Sequence, residues 1–366
     1  MRSRGRLAPY LETSSEGRIL NEEGYVIVKV CSEEYAAVLA NGLWTDLEML
    51  GTGINREDPT TWNNDNWPQA THELLQNQKF GVMEGVSVAR VATESVWTRL
   101  FNTRTICSFD AVSVARPKQQ ARKYASELSN QKKLGETELL SAWLHTDQAK
   151  HKRNCGEHVQ GAFALTALGT AEQRTQLVVP KEGETMQSMR DRFLAAFPPE
   201  PVAKGKFDPE RAEWVKHTLA EREWLIANGR VITPVLAPGE MLLWDSGVPH
   251  ASVPGPLPEG QLQRNVRMST FVSALPISLV EQADIEVRRE MLERAVTSGH
   301  RVTEKGLTTA KPFLQCKFSD TGRTYGKQIP QYSQQRVVTG IKRAWYQGER
   351  DTTAYKMAKF CGGYGT

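Results

Sequence analysis

The order of extended and helical segments constrains the fold of this chain most strongly. Short segments rich in β-branched residues recur from residue 24 to residue 276, and a helical stretch near 183–229 interrupts them. Such residues favour pleated, half-buried strands. The strands do not alternate regularly with helices, and no glycine-rich phosphate loop follows them. The pattern predicts an α+β fold with a mainly β core, built on a β-sandwich or jelly roll, and not a parallel α/β fold.

Individual elements follow from local composition. A helix should begin after Ser32, a residue type that caps helices, and another should cover 94–101. A third is expected over 208–229, with Asp208 as N-cap, Pro209 at the first helical position and an apolar stripe through Val215, Leu219 and Ile226. Residues 279–296 are partly helical in pattern. Strands are expected at 24–30, 105–117, 158–169, 175–180, 231–236, 239–245 and 267–276.

Three parts of the chain are therefore expected. Residues 1–22 form a flexible N-terminal tail, residues 23–276 form the main domain with its helical insertion, and residues 277–366 form a C-terminal extension that packs on the core. A chain of 366 residues with 39% hydrophobic content is long enough to bury a substantial core.

Composition narrows the class of protein. The 46 basic and 42 acidic residues leave a formal charge of +4, which is too small to predict a nucleic-acid groove. The five cysteines are scattered and form no paired motif, which favours a reducing compartment over a disulfide framework. The N-terminus lacks the apolar stretch of a signal peptide, and no apolar run approaches the roughly 18 residues of a membrane span. We expect a soluble, cytoplasmic protein.

The segment WLHTDQ places His145 two residues before Asp147. Side chains at i and i+2 of a strand point to the same face, whereas on a helix they lie far apart. A strand therefore makes this pair a candidate for metal binding. His250 follows an apolar strand and a Gly-Val-Pro turn in LLWDSGVPH, where a sheet presents side chains at its rim. Two imidazoles and one carboxylate form the facial triad that binds non-haem Fe(II) and leaves coordination positions open.

Two arginines begin the next strand. Arg264 and Arg267 lie 14 and 17 residues after His250, in QRNVRMSTFVSALP. A buried arginine needs an anionic partner, because an unpaired buried charge is costly. The guanidinium group matches a carboxylate through two parallel hydrogen bonds.

The order H-x-D, distant His, then Arg resembles the Fe(II)/2-oxoglutarate-dependent dioxygenases, and more narrowly their phytanoyl-CoA dioxygenase-like branch. The residues that carry this resemblance span about 20–276 and include SFDAVSVARP, WLHTDQ, VQGAFALTALG, LLWDSGVPH and RMSTFVSALP. The resemblance implies a double-stranded β-helix, which is a distorted jelly roll. It also implies Fe(II), with 2-oxoglutarate and O2 as cosubstrates, and hydroxylation of a C–H bond with release of succinate and CO2.

The resemblance assigns roles residue by residue. His145, Asp147 and His250 match the iron ligands and the catalytic centre. Arg267 best matches the arginine that binds the distal carboxylate of 2-oxoglutarate; Arg264 is the alternative, and Ser269, on the same strand face as Arg267, is a candidate helper. Two features qualify the match. Lys181 and Glu182 stand where family members often have a Ser-His pair. The carboxylate ligand is present, whereas related halogenases replace it with a small residue, so the resemblance favours hydroxylation or another oxidation over halogenation.

Several alternatives stay open at this level. His151, Cys155 and His158 form a second cluster, but zinc usually requires four ordered ligands, or three and a water. Asp245 either orients His250 or caps a turn. The protein could instead be a catalytically silent jelly roll that binds a partner, or a zinc hydrolase that uses the same triad. The substrate is expected to be a small molecule or acyl compound, with nucleic acid and protein as alternatives. Trp143 and Gln148 flank the triad and are candidates to line the site, and Trp143 could equally be a core residue.

Overall fold

The computed structural model describes most of the first 293 residues and short pieces beyond them. The described residues are 6–63, 66–68, 70–71, 74–75, 80–115, 144–149, 156–169, 173–198, 214–254, 266–293, 299–300, 302 and 324–325.

Two antiparallel sheets form the centre of the described part. The larger sheet has the strand order β1-β11-β7-β13-β5-β3-β2-β14, with β4 also paired to β13, and the smaller has the order β10-β8-β12-β6-β9. The strands are β1 Tyr25–Lys29, β2 Ala70–Thr71, β3 Leu74–Leu75, β4 Thr105–Cys107, β5 Val112–Ala115, β6 His145–Thr146, β7 Val159–Ala164, β8 Gln173–Val179, β9 Val215–Lys216, β10 Arg230–Ile232, β11 Glu240–Asp245, β12 His250–Pro254, β13 Arg267–Pro276 and β14 Thr324–Tyr325.

Helices surround these sheets. Short 3₁₀ turns cover Pro59–Thr61, Phe80–Val82 and Ile277–Leu279. The α-helices are α1 Ala8–Leu11, α2 Ser15–Glu23, α3 Glu33–Met49, α4 Glu84–Ala92, α5 Glu94–Phe101, α6 Met186–Ala196, α7 Leu219–Asn228 and α8 Gln282–Glu293.

The middle of the larger sheet is buried. All six residues of β7 are buried, and β7 lies between β11 and β13. Its registers pair Phe163 with Met241 on one side and with Thr270 on the other. Burial of both faces is consistent with the absence of a strict alternation of apolar and polar residues in β7 and β11.

Helices α3 and α4 pack closely against each other through small residues. A Cβ atom added at Gly85 would meet the backbone oxygen of Gly42 at 2.4 Å, so a larger side chain at position 85 does not fit. Asp46 on α3 is buried, and its carboxylate accepts a hydrogen bond from the backbone N–H of Val86 at 3.0 Å. This carboxylate therefore caps the N-terminus of α4 from a neighbouring helix.

Many predicted elements are confirmed. Helix α5 and strand β13 have the predicted bounds, and the ends of β1, β7, β8, β10 and β11 lie within five residues of the predicted ends. Helix α3 begins after Ser32, whose hydroxyl accepts the backbone N–H of Tyr35 at 3.2 Å. A mixed fold of helices and antiparallel sheets is thus confirmed.

The predicted helix over 208–229 is wrong for residues 214–218, the part before Leu219 that the structure describes. Val215 lies in strand β9, and the helix begins after Thr218. Thr218 and Glu221 form a capping box, in which each side chain bonds to the backbone of the other residue, and this sets the start of α7. The predicted apolar stripe is also wrong, because Leu219 is 62% exposed while Leu225 is buried. Residues 208–213, which include the predicted N-cap Asp208 and Pro209, lie outside the described residues.

Two further expectations differ from the structure. The predicted N-terminal tail is helical over its described part, because Leu7, Leu11 and Leu20 are buried in the main core and anchor α1 and α2. The predicted strand over 105–117 is divided into β4 and β5, which pair with different parts of β13.

Described parts of the C-terminal region contact the main body. Strand β14 pairs with β2 at the edge of the larger sheet. Val302 is 1% exposed and belongs to the main core cluster. Among the described residues, no helix is both long enough and apolar enough to cross a membrane. The predicted cytoplasmic location stays a prediction.

Candidate metal centre

The three predicted ligands converge on one point. Strands β6 and β12 pair with His145 opposite His250, and the two imidazole centroids lie 4.3 Å apart. Asp147 follows β6 directly. Its carboxylate lies 3.6 Å from Nε2 of His145 and 3.2 Å from Nε2 of His250. One ligand atom from each residue lies within 4.8 Å of the other two. The described residues thus bring together a set of two nitrogens and one oxygen that could bind a metal ion.

Backbone contacts explain why these residues meet. The backbone N–H of Asp147 donates to the carbonyl of Ser246 at 3.1 Å, so the end of β6 is fixed to the turn that precedes β12. On the other side of β6, strand β9 pairs His145 with Lys216. The His-x-Asp segment is therefore held between two strands of the smaller sheet, consistent with the extended conformation that the spacing required.

Hydrogen bonds orient the ligands. The carbonyl of Val248 lies 2.9 Å from Nδ1 of His250. If Nδ1 carries the proton and donates it there, the lone pair of Nε2 is directed toward Asp147 and is available to a metal. The amide of Gln160, on β7, donates to Oδ2 of Asp147 at 2.9 Å. The larger sheet thus supports a ligand that the smaller sheet carries.

The charges suit a metal site. Burial acts to raise the pKa of Asp147, but the nearby imidazoles of His300, His145 and His250 hold that pKa well below its ordinary value. Burial acts to lower the pKa of His250, and the Asp147 carboxylate outweighs it and raises that pKa. The ionised carboxylate is the form that a metal binds, and a metal would take the place of the proton that this pair attracts.

The turn before His250 is fixed by Asp245. Its carboxylate accepts the backbone N–H groups of Gly247 at 2.7 Å and of Gly156 at 2.5 Å. Burial raises the pKa of Asp245 to about 6. Of the two roles considered for Asp245, its hydrogen bonds support the turn cap. Gln148 contributes to the same turn, because its side-chain oxygen accepts the hydroxyl of Ser246 at 3.1 Å.

Arg267 connects the two sheets near the candidate centre. From β13, its guanidinium donates to the hydroxyl of Ser113 at 3.0 Å and to that of Thr175 at 3.4 Å. Thr175 lies on β8 two residues before Leu177, and Leu177 pairs with His250. Two residues of a strand span roughly 7 Å. Thr175, which accepts from Arg267, therefore lies a short distance along the sheet from His250.

The other predicted cosubstrate residues have different outcomes. Ser269 is fully buried on β13 and pairs with Ser113, and its hydroxyl forms no hydrogen bond among the described residues. Arg264 lies outside the described residues, as do Trp143, His151 and Cys155. The second cluster therefore cannot be assembled from the described part of the chain. Its remaining member, His158, is buried.

Aromatic residues that sequence reasoning did not assign to the site also contact the ligands. Trp214 packs edge-on to His145, with ring centroids 6.4 Å apart, and is 43% exposed. Trp244 packs edge-on to His250 at 5.4 Å and is buried. An exposed tryptophan beside one ligand and a buried tryptophan beside the other indicate which side of the centre faces solvent.

Comparisons with known proteins return distant structural similarity. No protein-family model matches the chain, and no curated protein matches its sequence. Similar solved structures include the non-heme alpha-ketoglutarate-dependent carbocyclase SnoK from nogalamycin biosynthesis, at 14% identity, 72% of this chain, 85% of that chain and a TM-score of 0.38. EctD from S. alaskensis has 11% identity over 71% of this chain and 76% of its own, with a TM-score of 0.39.

A third structure is similar over more of the chain. GlcNAc Inducible Gene 2 of Candida albicans, a DUF1479 protein, has 11% identity over 96% of this chain and 90% of its own, with a TM-score of 0.44. Similarity at these levels carries no argument about activity, so the function proposed below is argued from the candidate metal centre.

Proposed function

We propose that this protein is an Fe(II)- and 2-oxoglutarate-dependent oxygenase that hydroxylates a C–H bond of its substrate. The observation that carries the proposal is the convergence of His145, Asp147 and His250, with one ligand atom of each within 4.8 Å of the other two. Two imidazoles and one carboxylate with open positions are the donor set of non-haem Fe(II) oxygenases. Arg267 supports the choice of cosubstrate.

The residues present fit the metal. The three donor groups include an ionised carboxylate, and Gln160 and the Val248 carbonyl fix the carboxylate and one imidazole. Such supporting hydrogen bonds preset the ligands and limit reorganisation on binding. When bound, iron and 2-oxoglutarate supply the oxidising chemistry: with O2, 2-oxoglutarate is converted to succinate and CO2, and one oxygen atom enters the substrate C–H bond.

The chain's own residues bind and orient the reactants. Arg267 would bind the distal carboxylate of 2-oxoglutarate with two parallel hydrogen bonds, while Ser113 and Thr175 hold the guanidinium plane. The fully buried Ser269 hydroxyl would supply a further hydrogen bond on the same strand face. Trp214 stands at the exposed side of His145 and would shield the centre from water once a small-molecule or acyl substrate covers it.

The arrangement of strands supports a double-stranded β-helix as the finer description of the fold. Two antiparallel sheets are present, and both strands that carry metal ligands, β6 and β12, belong to the smaller one. The phytanoyl-CoA dioxygenase-like branch is part of the same proposal. It rests on the sequence motifs alone.

Anaerobic titration calorimetry tests the proposed function against its alternatives. An oxygenase should bind one Fe(II) per chain, and 2-oxoglutarate should bind only after the metal. A zinc hydrolase would bind zinc without any affinity for 2-oxoglutarate, and a silent scaffold would bind neither. Either of those results from folded protein would refute the proposal.

A further inference from the structure

A third histidine from the C-terminal region lies beside the candidate metal centre. The ring of His300 lies 6.3 Å from that of His158. The carbonyl of His158 accepts the backbone N–H of Ser246, and the carbonyl of Ser246 accepts that of Asp147. His300 therefore lies in the surroundings of the candidate metal centre, although it is far from the three ligands in the sequence.

His300 is not a fourth ligand in this arrangement. The group of ligand atoms that lie within 4.8 Å of one another contains only the three triad residues among those described. The Nε2 atom of His300 is nevertheless buried, and it forms no hydrogen bond to any described residue. A buried polar atom without a partner carries a cost in free energy, which a ligand with an acceptor oxygen would remove.

A buried arginine fixes the segment that carries His300. Arg288 on α8 is 1% exposed, donates to the carbonyl of Val302 at 2.8 Å, and also donates to the carbonyl of Cys107. Its guanidinium lies over the ring of Phe109, 4.6 Å from the ring centroid. Arg288 therefore connects Val302, two residues after His300, to the end of β4, where the chain turns toward Asp110.

Asp110 adds a second carboxylate near His300. Burial raises its pKa to about 6, and the His300 imidazole is the largest of the charges that act to lower that pKa. The side chain of Asp110 accepts the backbone N–H of Ala111 at 2.6 Å. An imidazole carries at least one N–H group, so a histidine at this position can donate a hydrogen bond to an oxygen of an anionic ligand.

We infer that His300 is a second 2-oxoglutarate-binding residue, which donates an imidazole N–H to an oxygen of the cosubstrate's C1 carboxylate, and that Arg288 positions it. This inference rests on the proposed function, in which Arg267 binds the opposite end of the same molecule. It assigns part of the C-terminal extension to the active site.

Substitution of His300 tests the hydrogen bond directly. His300→Phe keeps a ring of similar size without an N–H group, and His300→Gln keeps an amide N–H donor. Loss of one hydrogen bond to a charged group should weaken 2-oxoglutarate binding about tenfold in the Phe variant, and the Gln variant should recover most of it. The measurements are anaerobic calorimetry with Fe(II)-loaded protein and the wavelength of the visible charge-transfer band, which should shift in the Phe variant. Affinity for Mn²⁺ should stay at the wild-type value.

Two further variants separate positioning from folding. His217→Phe is the matched control, because His217 is also a buried histidine, 2% exposed, and it packs edge-on to Phe193 at 5.5 Å. It should bind 2-oxoglutarate as the wild type does. Arg288→Lys should reproduce the loss of His300→Phe, and the two losses should not add in the double variant.

The outcomes distinguish this inference from the proposed function. If wild-type protein with Fe(II) binds no 2-oxoglutarate, the proposed function fails and the inference fails with it. If wild type binds it and His300→Phe binds equally well with an unshifted band, only the inference is overturned. Equal losses in the Phe and Gln variants with normal Mn²⁺ affinity would also overturn the hydrogen bond.

Discussion

Arg267→Ala should weaken 2-oxoglutarate binding much more than metal binding. The guanidinium is held by the hydroxyls of Ser113 and Thr175, so little conformational freedom is lost when it binds a carboxylate. A hydrogen bond to a charged group contributes about 1.5–3 kcal/mol, and two such bonds form in a paired geometry. Because Arg267 is partly exposed, solvent offsets part of this. A net loss of about 2 kcal/mol corresponds to about a 30-fold higher Kd.

The assay is anaerobic calorimetry of 2-oxoglutarate binding to Fe(II)-loaded protein. Arg264→Ala is the matched control, because it removes the same charge three positions earlier, and it should cause a smaller loss. Arg267→Lys should lie between wild type and Arg267→Ala, since lysine keeps the charge and loses the planar pair of donors. A larger loss in Arg264→Ala than in Arg267→Ala would refute the assignment of Arg267. Equal wild-type affinity in both would refute an arginine anchor altogether.

Three more predictions concern support and stability. Gln160→Leu removes the amide that donates to Asp147, so Fe(II) affinity measured by competition with a chelator should fall about tenfold; an unchanged affinity would contradict its supporting role. Burial raises the pKa of Asp46 from 3.8 to about 7. The folded state thus holds a proton that the unfolded chain has released, so the free energy of unfolding should fall as pH rises from about 4 to about 7. In urea unfolding, Asp46→Asn should make this fall smaller and leave the part that Asp110 and Asp245 contribute, because burial raises their pKa values to about 6; a fall as steep as that of the wild type would contradict the assignment. Thr218→Ala removes a capping-box hydroxyl and should lower unfolding free energy by about 1 kcal/mol, whereas a neutral result would place the start of α7 elsewhere.

The metal ligands could be predicted from the sequence because the His-x-Asp spacing was combined with the prediction of a strand at that segment. A His-x-Asp pair has one metal-binding conformation, and the turn before His250 has clear sequence markers, so the convergence of β6 and β12 could be anticipated. The start of α3 could be predicted for a similar reason. The hydroxyl of Ser32 caps the helix by accepting the backbone N–H of Tyr35, so the signal lies within four residues of the chain.

Residues that act across the fold could not be found in this way. Gln160 lies in an apolar strand with no local pattern to mark it, and its contact with Asp147 depends on which strands of the two sheets face each other. The position of His300 depends on a hydrogen bond from Arg288, on α8, to the carbonyl of Val302. This bond joins the helix to residues that follow it in the chain, and no local sequence pattern marks it.

The error in the helix over 208–229 has a different cause. Asp208-Pro209 is a valid N-terminal signal, but Thr218 and Glu221 form a capping box later in the same segment, and Val215 is drawn into the smaller sheet by pairing with Thr146. Competing local signals of similar strength are decided by tertiary pairing, which periodicity does not encode.

The visible spectrum of the protein mixed anaerobically with Fe(II) and 2-oxoglutarate tests the central claim most directly. Chelation of 2-oxoglutarate by iron at the triad should produce a metal-to-ligand charge-transfer band in the wild type. The band should be absent in Asp147→Ala, which removes the carboxylate ligand and leaves His145 and His250 in place. A folded wild-type protein without the band, or an Asp147→Ala variant that retains it, would contradict the assignment of these three residues as an iron centre.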